Sequence, residues 1–125
     1  MDKKERPLVL LVEDDRDTRE MYSEYLSYSG LRVAEAPTGF RALEQVRHQT
    51  PDVVVTDIAM PGMDGLELSR RLRADTPTRE VPIIAVSGNP TPYAREAGCD
   101  LMLEKPCTPD ELLHAIENVL KKPRG

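Results

Sequence analysis

The feature that most constrains the fold is the run VVVTD at residues 53–57, which ends in a carboxylate. Three consecutive β-branched residues predict a strand buried on both faces, as found inside a parallel sheet. The segment PGMDG at residues 61–65 then predicts a loop, because proline and glycine interrupt regular structure. Asp57 is therefore expected at the carboxyl end of a central strand, where open α/β sheets place their ligand sites.

Asp57 has no structural role that the sequence indicates. A carboxylate at the end of an apolar run can cap a helix, but Asp64 fits that role better. Asp64 stands three residues before Glu67 at the start of an amphipathic segment, which is the spacing of a capping box. Asp57 is thus the first candidate for a functional residue.

Length and charge exclude several classes of protein. The 125 residues suffice for one domain and are too few for two, so we expect a single domain over 1–125 with its core at about 7–121. No apolar run reaches membrane-spanning length and residues 1–7 lack a signal-peptide core, which predicts a cytoplasmic protein without membrane insertion. The net charge of -5 argues against direct binding of nucleic acid. Cys99 and Cys107 flank a predicted strand and are expected to be free thiols, because the strand separates them too far for a disulfide.

Five strand patterns alternate with five helix patterns, which predicts a doubly wound α/β domain of the (βα)5 type with right-handed crossovers. The strongest apolar runs are the first, third and fourth, and the weaker ones at residues 31–35 and 101–103 suit outer strands. This favours a five-stranded parallel sheet in the order 2-1-3-4-5. The fourth helix is expected to be short, because Pro92 and Gly98 leave little more than one turn between them, with Pro90 just before.

Two side-chain patterns on the predicted helices are assigned to packing or solvent. The stripe of Tyr22, Tyr25 and Tyr28, continued by Met21, is expected to pack against the sheet and not to bind a ligand. The arginines at 70, 71 and 73 are expected to form a solvated helix face and not a phosphate clamp.

Five polar residues converge on the carboxyl edge of the predicted sheet: Glu13, Asp14, Asp57, Ser87 and Lys105. Several close carboxylates cannot all remain ionised without a counter-charge, and Mg²⁺ is the natural cation for oxygen ligands. A carboxylate such as Asp57 could then attack phosphorus as a nucleophile. Lys105 would hold a phosphoryl oxygen and Ser87 would donate a hydrogen bond to another. Singly, the serine and the lysine have ordinary surface explanations, but five such residues at one edge argue against coincidence.

Four motifs carry a resemblance to a known family: LVED at 11–14, DIAMPGMDG at 57–65, SG at 87–88 and KP at 105–106. With them the chain resembles a response-regulator receiver domain of two-component signalling, similar to the chemotaxis regulators, over essentially its whole length. The strand order also matches the flavodoxin-like class of doubly wound sheets.

The resemblance implies a phosphoacceptor switch and not a conventional enzyme, since a receiver catalyses only its own phosphorylation and dephosphorylation. Asp57 would accept the phosphoryl group from a sensor histidine kinase, a phosphotransfer protein or a small acyl phosphate. Phosphorylation would change the surface around the fourth helix, last strand and last helix, which would control a downstream protein effector.

The resemblance also implies a set of ligands and one backbone feature. Asp14, Asp57 and the carbonyl of Ala59 would bind Mg²⁺ directly, and Glu13 would reach it through water. Ser87 and Lys105 would sense the phosphoryl group, and the peptide bond before Pro106 would be cis.

Two departures from the family pattern bear on switching. The family usually has an aromatic residue three positions before the lysine, where this chain has Met102. Methionine is flexible and apolar, so the usual coupling between the hydroxyl and the aromatic residue is expected to be weakened or replaced. The short fourth helix further predicts a reshaped partner surface.

Three other functions fit parts of the sequence. A haloacid-dehalogenase-like phosphatase would need its aspartate pair in a different register from Asp15 and Asp17. A flavin- or nucleotide-binding module would need a loop rich in glycine or hydroxyl groups after the first strand, where the acidic run at 13–15 would repel phosphate. A receiver-like interaction module that works without phosphorylation remains the main alternative, although no acceptor residue is missing.

Overall fold

The five predicted strands form one parallel sheet in a computed structural model that describes residues 6–89 and 91–121. Pro90, which helped to predict a short fourth helix, lies outside the described residues, as do both ends of the predicted domain. The strands are β1 (Leu8–Val12), β2 (Arg32–Ala36), β3 (Val53–Asp57), β4 (Ile83–Ser87) and β5 (Leu101–Glu104). Their order is β2-β1-β3-β4-β5, which confirms the predicted topology.

Five α-helices connect or follow the strands. They are α1 (Arg16–Tyr28), α2 (Gly39–Val46), α3 (Gly65–Ala74), α4 (Tyr93–Glu96) and α5 (Pro109–Lys121), and a 3-10 turn spans Thr76–Thr78. The side chain of Asp15 accepts a hydrogen bond from the amide of Thr18 and so caps α1. Asp64 likewise caps α3, which confirms that this aspartate, and not Asp57, has the capping role.

The sheet divides the apolar core into two layers because successive strand side chains point to opposite faces. Leu10 and Val54 lie in the layer packed by α2, α3 and α4. Leu11 and Val55 lie in the layer packed by α1 and α5. Since β3 pairs with β1 on one side and β4 on the other, the buried valine run forms the middle of the molecule, as expected.

The tyrosine stripe of α1 packs only in part as predicted. Tyr22 is buried and its hydroxyl donates a hydrogen bond of 2.6 Å to the carbonyl oxygen of Cys107, which ties α1 to the start of α5. Tyr25 is partly buried, but Tyr28 is 94% exposed and Met21 is also exposed. The prediction was wrong for these two, since Tyr28 is the last residue of the helix and Met21 lies on its solvent side.

The prediction that Arg73 faces solvent was also wrong. Arg70 and Arg71 are exposed and pair with Glu67, whereas the Arg73 side chain is only 15% exposed. Its guanidinium donates to the carbonyl oxygens of Gly98 at 3.0 Å and Val81 at 2.6 Å. Arg73 therefore ties α3 to the segment before β5.

Helix α4 has a single turn, which confirms the predicted shortening. Side chains of α3 hold the residues that follow it: Ser69 Oγ donates to the carbonyl of Ala97 at 2.7 Å, and Arg73 pairs with Asp100 at 2.8 Å. The Asp100 carboxylate also accepts the amide of Ile83 at 2.8 Å. A groove of about 380 Å³ lies beside α4 and reaches Met102 on β5.

Two other structural expectations, on the cysteines and on the bond before Pro106, are confirmed. Cys99 and Cys107 are free and buried. The peptide bond between Lys105 and Pro106 is cis. Within the described ranges, no helix combines the length and apolar character needed to span a membrane.

Candidate functional site

Parallel pairing of β1 with β3 brings three carboxylates together at one edge of the sheet. Glu13 and Asp14 directly follow β1, and Asp57 is the last residue of β3. One carboxylate oxygen from each of the three residues lies within 4.8 Å of the others. Glu13 and Asp57 are buried and Asp14 is exposed, so the cluster is closed by protein on one side and open on the other.

Lys105 reaches this cluster from beyond β5. Its backbone amide donates to the carbonyl of Ser87 at 2.8 Å, which extends the β4–β5 pairing by one residue. Its Nζ lies 3.0 Å from Asp57 Oδ2 and 3.9 Å from Glu13 Oε1. The predicted convergence of the acidic pair, Asp57 and Lys105 is therefore present.

The single ammonium group does not balance the carboxylates. Burial, together with the nearby charge of Asp57, raises the pKa of Glu13 from 4.5 to about 7, although the amide of Asp15 and the charge of Lys105 act in the opposite direction. Burial lowers the pKa of Lys105, but the hydrogen bond and charge of Asp57 outweigh it, so this pKa lies above its ordinary value. The site therefore holds an excess of negative charge.

These residues fit a magnesium ion. Their donor atoms are all carboxylate oxygens, which suit a small, hard divalent cation better than a soft metal. Three carboxylates face the one ammonium of Lys105, so a further positive charge would be accommodated here. Ala59 lies two residues beyond Asp57 and is exposed, and its carbonyl stays a predicted ligand.

Ser87 ends β4 at the same edge of the sheet. Val86 pairs in register with Asp57, so Ser87 lies one residue beyond the level of the acceptor carboxylate. Its hydroxyl donates to the carbonyl of Asn89 at 3.0 Å and accepts the Asn89 amide at 3.0 Å, which closes a local turn. Its contact with a phosphoryl group stays a prediction.

The sequence did not reveal the part that Gly65 plays at this site. A Cβ atom on Gly65 would collide with the carbonyl oxygen of Asp57 and would lie 2.9 Å from the Cα of Ile58. The amide of Gly65 donates to the carbonyl of Ile58 at 2.9 Å, so α3 begins in direct contact with the end of β3. The PGMDG segment indicated only a loop, because nothing in it records how closely the backbone approaches β3.

Solved structures with this fold include other signalling proteins. The chemotaxis protein CheY4 of Vibrio cholerae superposes with a TM-score of 0.86 at 29% identity, over 91% of this chain and 98% of that one. The receiver domain of a sensor histidine kinase from Pseudomonas aeruginosa superposes with a TM-score of 0.85 at 30% identity, over 94% and 99% of the two chains. In that receiver domain a magnesium ion is coordinated in the active site cleft.

Curated proteins with similar sequences include response regulators. Response regulator MprA of Mycobacterium leprae is 37% identical over 118 residues, which cover 91% of this chain and 51% of the relative. The chain thus spans about half the length of the curated relatives it matches. The model of the response regulator receiver domain matches residues 9–117. The chain belongs to the family of response regulator receiver domains.

Proposed function

We propose that the chain is a phosphorylation-controlled switch in which Asp57 accepts a phosphoryl group in a reaction that depends on Mg²⁺. The donor is a sensor histidine kinase, a phosphotransfer protein or a small acyl phosphate. The observation that carries the proposal is the 3.0 Å contact between Lys105 Nζ and Asp57 Oδ2, beside two further carboxylates. This combination supports the proposal, because a nucleophile, a cation site and a phosphate-binding ammonium would then lie within reach of one another.

The metal ligands of the proposal are the carboxylates of Glu13, Asp14 and Asp57 and the carbonyl of Ala59. When bound, Mg²⁺ would supply the positive charge that lets an anionic phosphoryl donor approach this acidic edge. The exposure of Asp14 leaves a path from solvent to the cluster.

The chain's own residues have separate parts in the transfer. An Asp57 carboxylate oxygen forms the new bond to phosphorus, while the bond between phosphorus and the donor breaks and the donor leaves with its electron pair. The Lys105 ammonium then pairs with a phosphoryl oxygen in place of the carboxylate that it contacts in the unmodified chain. Attack by water on the same phosphorus breaks its bond to the Asp57 oxygen, releases inorganic phosphate and returns Asp57 to a free carboxylate.

Ser87 links the site to the output surface in this proposal. Its hydroxyl would exchange the carbonyl of Asn89 for a phosphoryl oxygen, which would release the local turn after β4. The affected surface is formed by α4, β5 and α5 and includes the groove beside Met102. Phosphorylation would shift the population between two arrangements of this surface, which a downstream protein reads.

The proposal places the chain in the cytoplasm, where it contacts proteins. A net charge of -5 gives this segment no attraction for nucleic acid, so its proposed partners are a phosphodonor and a protein effector.

The test is intact-protein mass spectrometry after incubation with acetyl phosphate and Mg²⁺. We expect the wild-type chain to gain one phosphoryl group and Asp57→Asn to gain none. Asp64→Asn is the matched control, since Asp64 lies in the same connection but caps α3. Equal modification of the wild type and Asp57→Asn would rule out Asp57 as the acceptor, and modification that persists in excess chelator would rule out the metal requirement.

A further inference from the structure

The backbone of Glu13 is held from two sides. Its amide donates to the carbonyl of Ala36, the last residue of β2, at 3.1 Å. Its carbonyl accepts a hydrogen bond of 2.9 Å from Nη1 of Arg19 on α1. The first residue of the β1–α1 connection is therefore fixed between a strand and a helix.

Arg19 is itself held in one orientation. Its Nε lies 3.3 Å from Glu35 Oε1, and the second oxygen of that carboxylate accepts the hydroxyl of Ser23 at 3.1 Å. The Arg19 side chain is 16% exposed, whereas that of Arg16 in the same helix is 79% exposed. Arg19 thus differs from an ordinary solvated arginine, because both edges of its guanidinium have a protein partner.

The residues after Glu13 are held as well. Glu13 Oε2 accepts the amide of Asp15 at 3.0 Å, and the Asp15 carboxylate accepts the amide of Thr18 at 2.9 Å. Asp14, the exposed carboxylate of the cluster, therefore lies between two residues whose backbones are anchored. These bonds fix the backbone on both sides of Asp14.

We propose that Arg19 is a positioning residue for the magnesium site, which acts through its hydrogen bond to the Glu13 carbonyl. This inference rests on the proposed function, because it assigns Arg19 a part in holding Glu13 and Asp14 against Asp57. Groups that orient metal ligands from outside typically change affinity by about 10- to 100-fold when they are removed.

A positioning role and a simple charge effect predict opposite results. Removal of a positive charge near a cation site strengthens cation binding when electrostatics alone decides, because the repulsion between the two cations is lost. Removal of a group that orients the ligands weakens binding although the same charge is lost. The sign of the change therefore separates the two explanations.

The experiment is a titration of the chelator-treated chain with Mg²⁺, followed by amide NMR shifts of the residues around Glu13, Asp14 and Asp57. We expect Arg19→Met to weaken Mg²⁺ binding by about 10-fold. Arg16→Met is the matched control: it removes the same charge from the same helix but no contact with Glu13, and it should leave affinity unchanged or slightly increased.

Arg19→Lys covers the case in which Arg19→Met does not fold. Lysine keeps the charge and most of the aliphatic chain. Its single ammonium cannot contact the Glu13 carbonyl and the Glu35 carboxylate with the geometry of two guanidinium nitrogens. Where Arg19→Met does not fold, weaker Mg²⁺ binding by Arg19→Lys supports positioning, and affinity equal to or above that of the wild type overturns it. The same rule applies to Arg19→Met where it folds.

The two proposals fail in different ways. If the wild type binds Mg²⁺ at the three carboxylates while neither Arg19 variant binds more weakly, only the positioning role is wrong. If the wild type does not bind Mg²⁺ at all, the metal site of the proposed function is wrong and the role of Arg19 falls with it.

Discussion

The two halves of the sheet's carboxyl edge differ in how firmly their connections are held. Around β1 and β3, Glu13 is bonded to β2, to α1 and to its own loop, and Asp57 packs against Gly65 and Lys105. Around β4 and β5, the hydroxyl of Ser87 makes only a local turn with Asn89 in the described part of the chain, and α4 is one turn long.

In the proposed function, the β1–β3 half binds the ligands and the β4–β5 half changes its conformation. The β1–β3 half holds charged groups close together before any ligand arrives, which is what a site for a cation and a phosphoryl group requires. Among the described residues, Arg73 and Ser69 anchor the β4–β5 half after α4, whereas the Ser87 hydroxyl bonds only to Asn89. In the proposed function, this is the part of the edge that phosphorylation of Asp57 would rearrange.

The largest effect that we expect is on the free energy of unfolding, and it comes from the charge of Glu13 in metal-free buffer. Its pKa is 4.5 in the unfolded chain and about 7 in the folded one, so between these values the folded state holds a proton that the unfolded state has lost. Stability therefore falls as pH rises through this window, by on the order of 3 kcal/mol at about 1.4 kcal/mol per unit. We expect Glu13→Gln to be more stable than the wild type at pH 8 and equal to it at pH 4, as measured by urea unfolding with chelator.

Glu20→Gln is the control for this experiment, because Glu20 is an exposed acid that pairs with Arg16 on the surface of α1. It should follow the wild type at both pH values within about 0.5 kcal/mol. If the stability of the wild type does not fall between pH 4 and pH 8 relative to Glu13→Gln, burial and the charge of Asp57 do not disfavour the ionised Glu13 carboxylate in the folded chain.

The half of the edge around β3 was largely predictable from sequence, for a physical reason. The run that ends in Asp57 is buried on both faces of the sheet, so its composition alone marks it as central. Parallel strands end at the same edge, so the acidic pair, Asp57 and Lys105 had to converge once the strand order was right. Proline and glycine likewise limit the length of α4 by chain geometry.

The contacts that join distant segments were not predictable. Arg73 looks like its neighbours Arg70 and Arg71, and only the position of the chain after α4 supplies the carbonyl groups that bury it. The sequence likewise gives no sign that Arg19 is bonded, since its partners are the backbone carbonyl of Glu13 and the carboxylate of Glu35 on β2. Amphipathic periodicity shows which side of a helix faces the sheet, but it contains no information on backbone acceptors contributed by other segments.

A second prediction compares one glycine from each half of the edge. In Gly65→Ala the new methyl group meets backbone atoms of Asp57 and Ile58, which cannot rotate away, so we expect a loss of about 2–3 kcal/mol. In Gly88→Ala the methyl group meets no atom within 4 Å among the described residues beyond its chain neighbours, and we expect a change within about 0.5 kcal/mol. Urea unfolding of both variants provides the measurement, and equal stabilities would mean that the two halves are packed alike.

The smallest of the three effects concerns Arg73, which holds the residues between α4 and β5. Arg73→Met keeps much of the apolar stem but removes the donors to Gly98 and Val81 and the pair with Asp100, so we expect a loss of about 2 kcal/mol. Arg71→Met, two residues earlier on α3, removes an exposed pair and should lose at most about 0.5 kcal/mol.

Hydrogen exchange shows which amides Arg73→Met affects, and so whether Arg73 stabilises the segment after α4. The amides of Gly98 and Cys99 should exchange faster in this variant than in Arg71→Met, because the carbonyl groups around them lose their partner and the turn after α4 opens more often. The amides around Glu13 and Asp57 should keep their protection, since they belong to the other half of the edge. If protection near α4 is unchanged, main-chain bonds alone hold this segment and Arg73 does not anchor it. If protection falls in both halves together, the edge unfolds as one unit and the contrast between its halves is wrong.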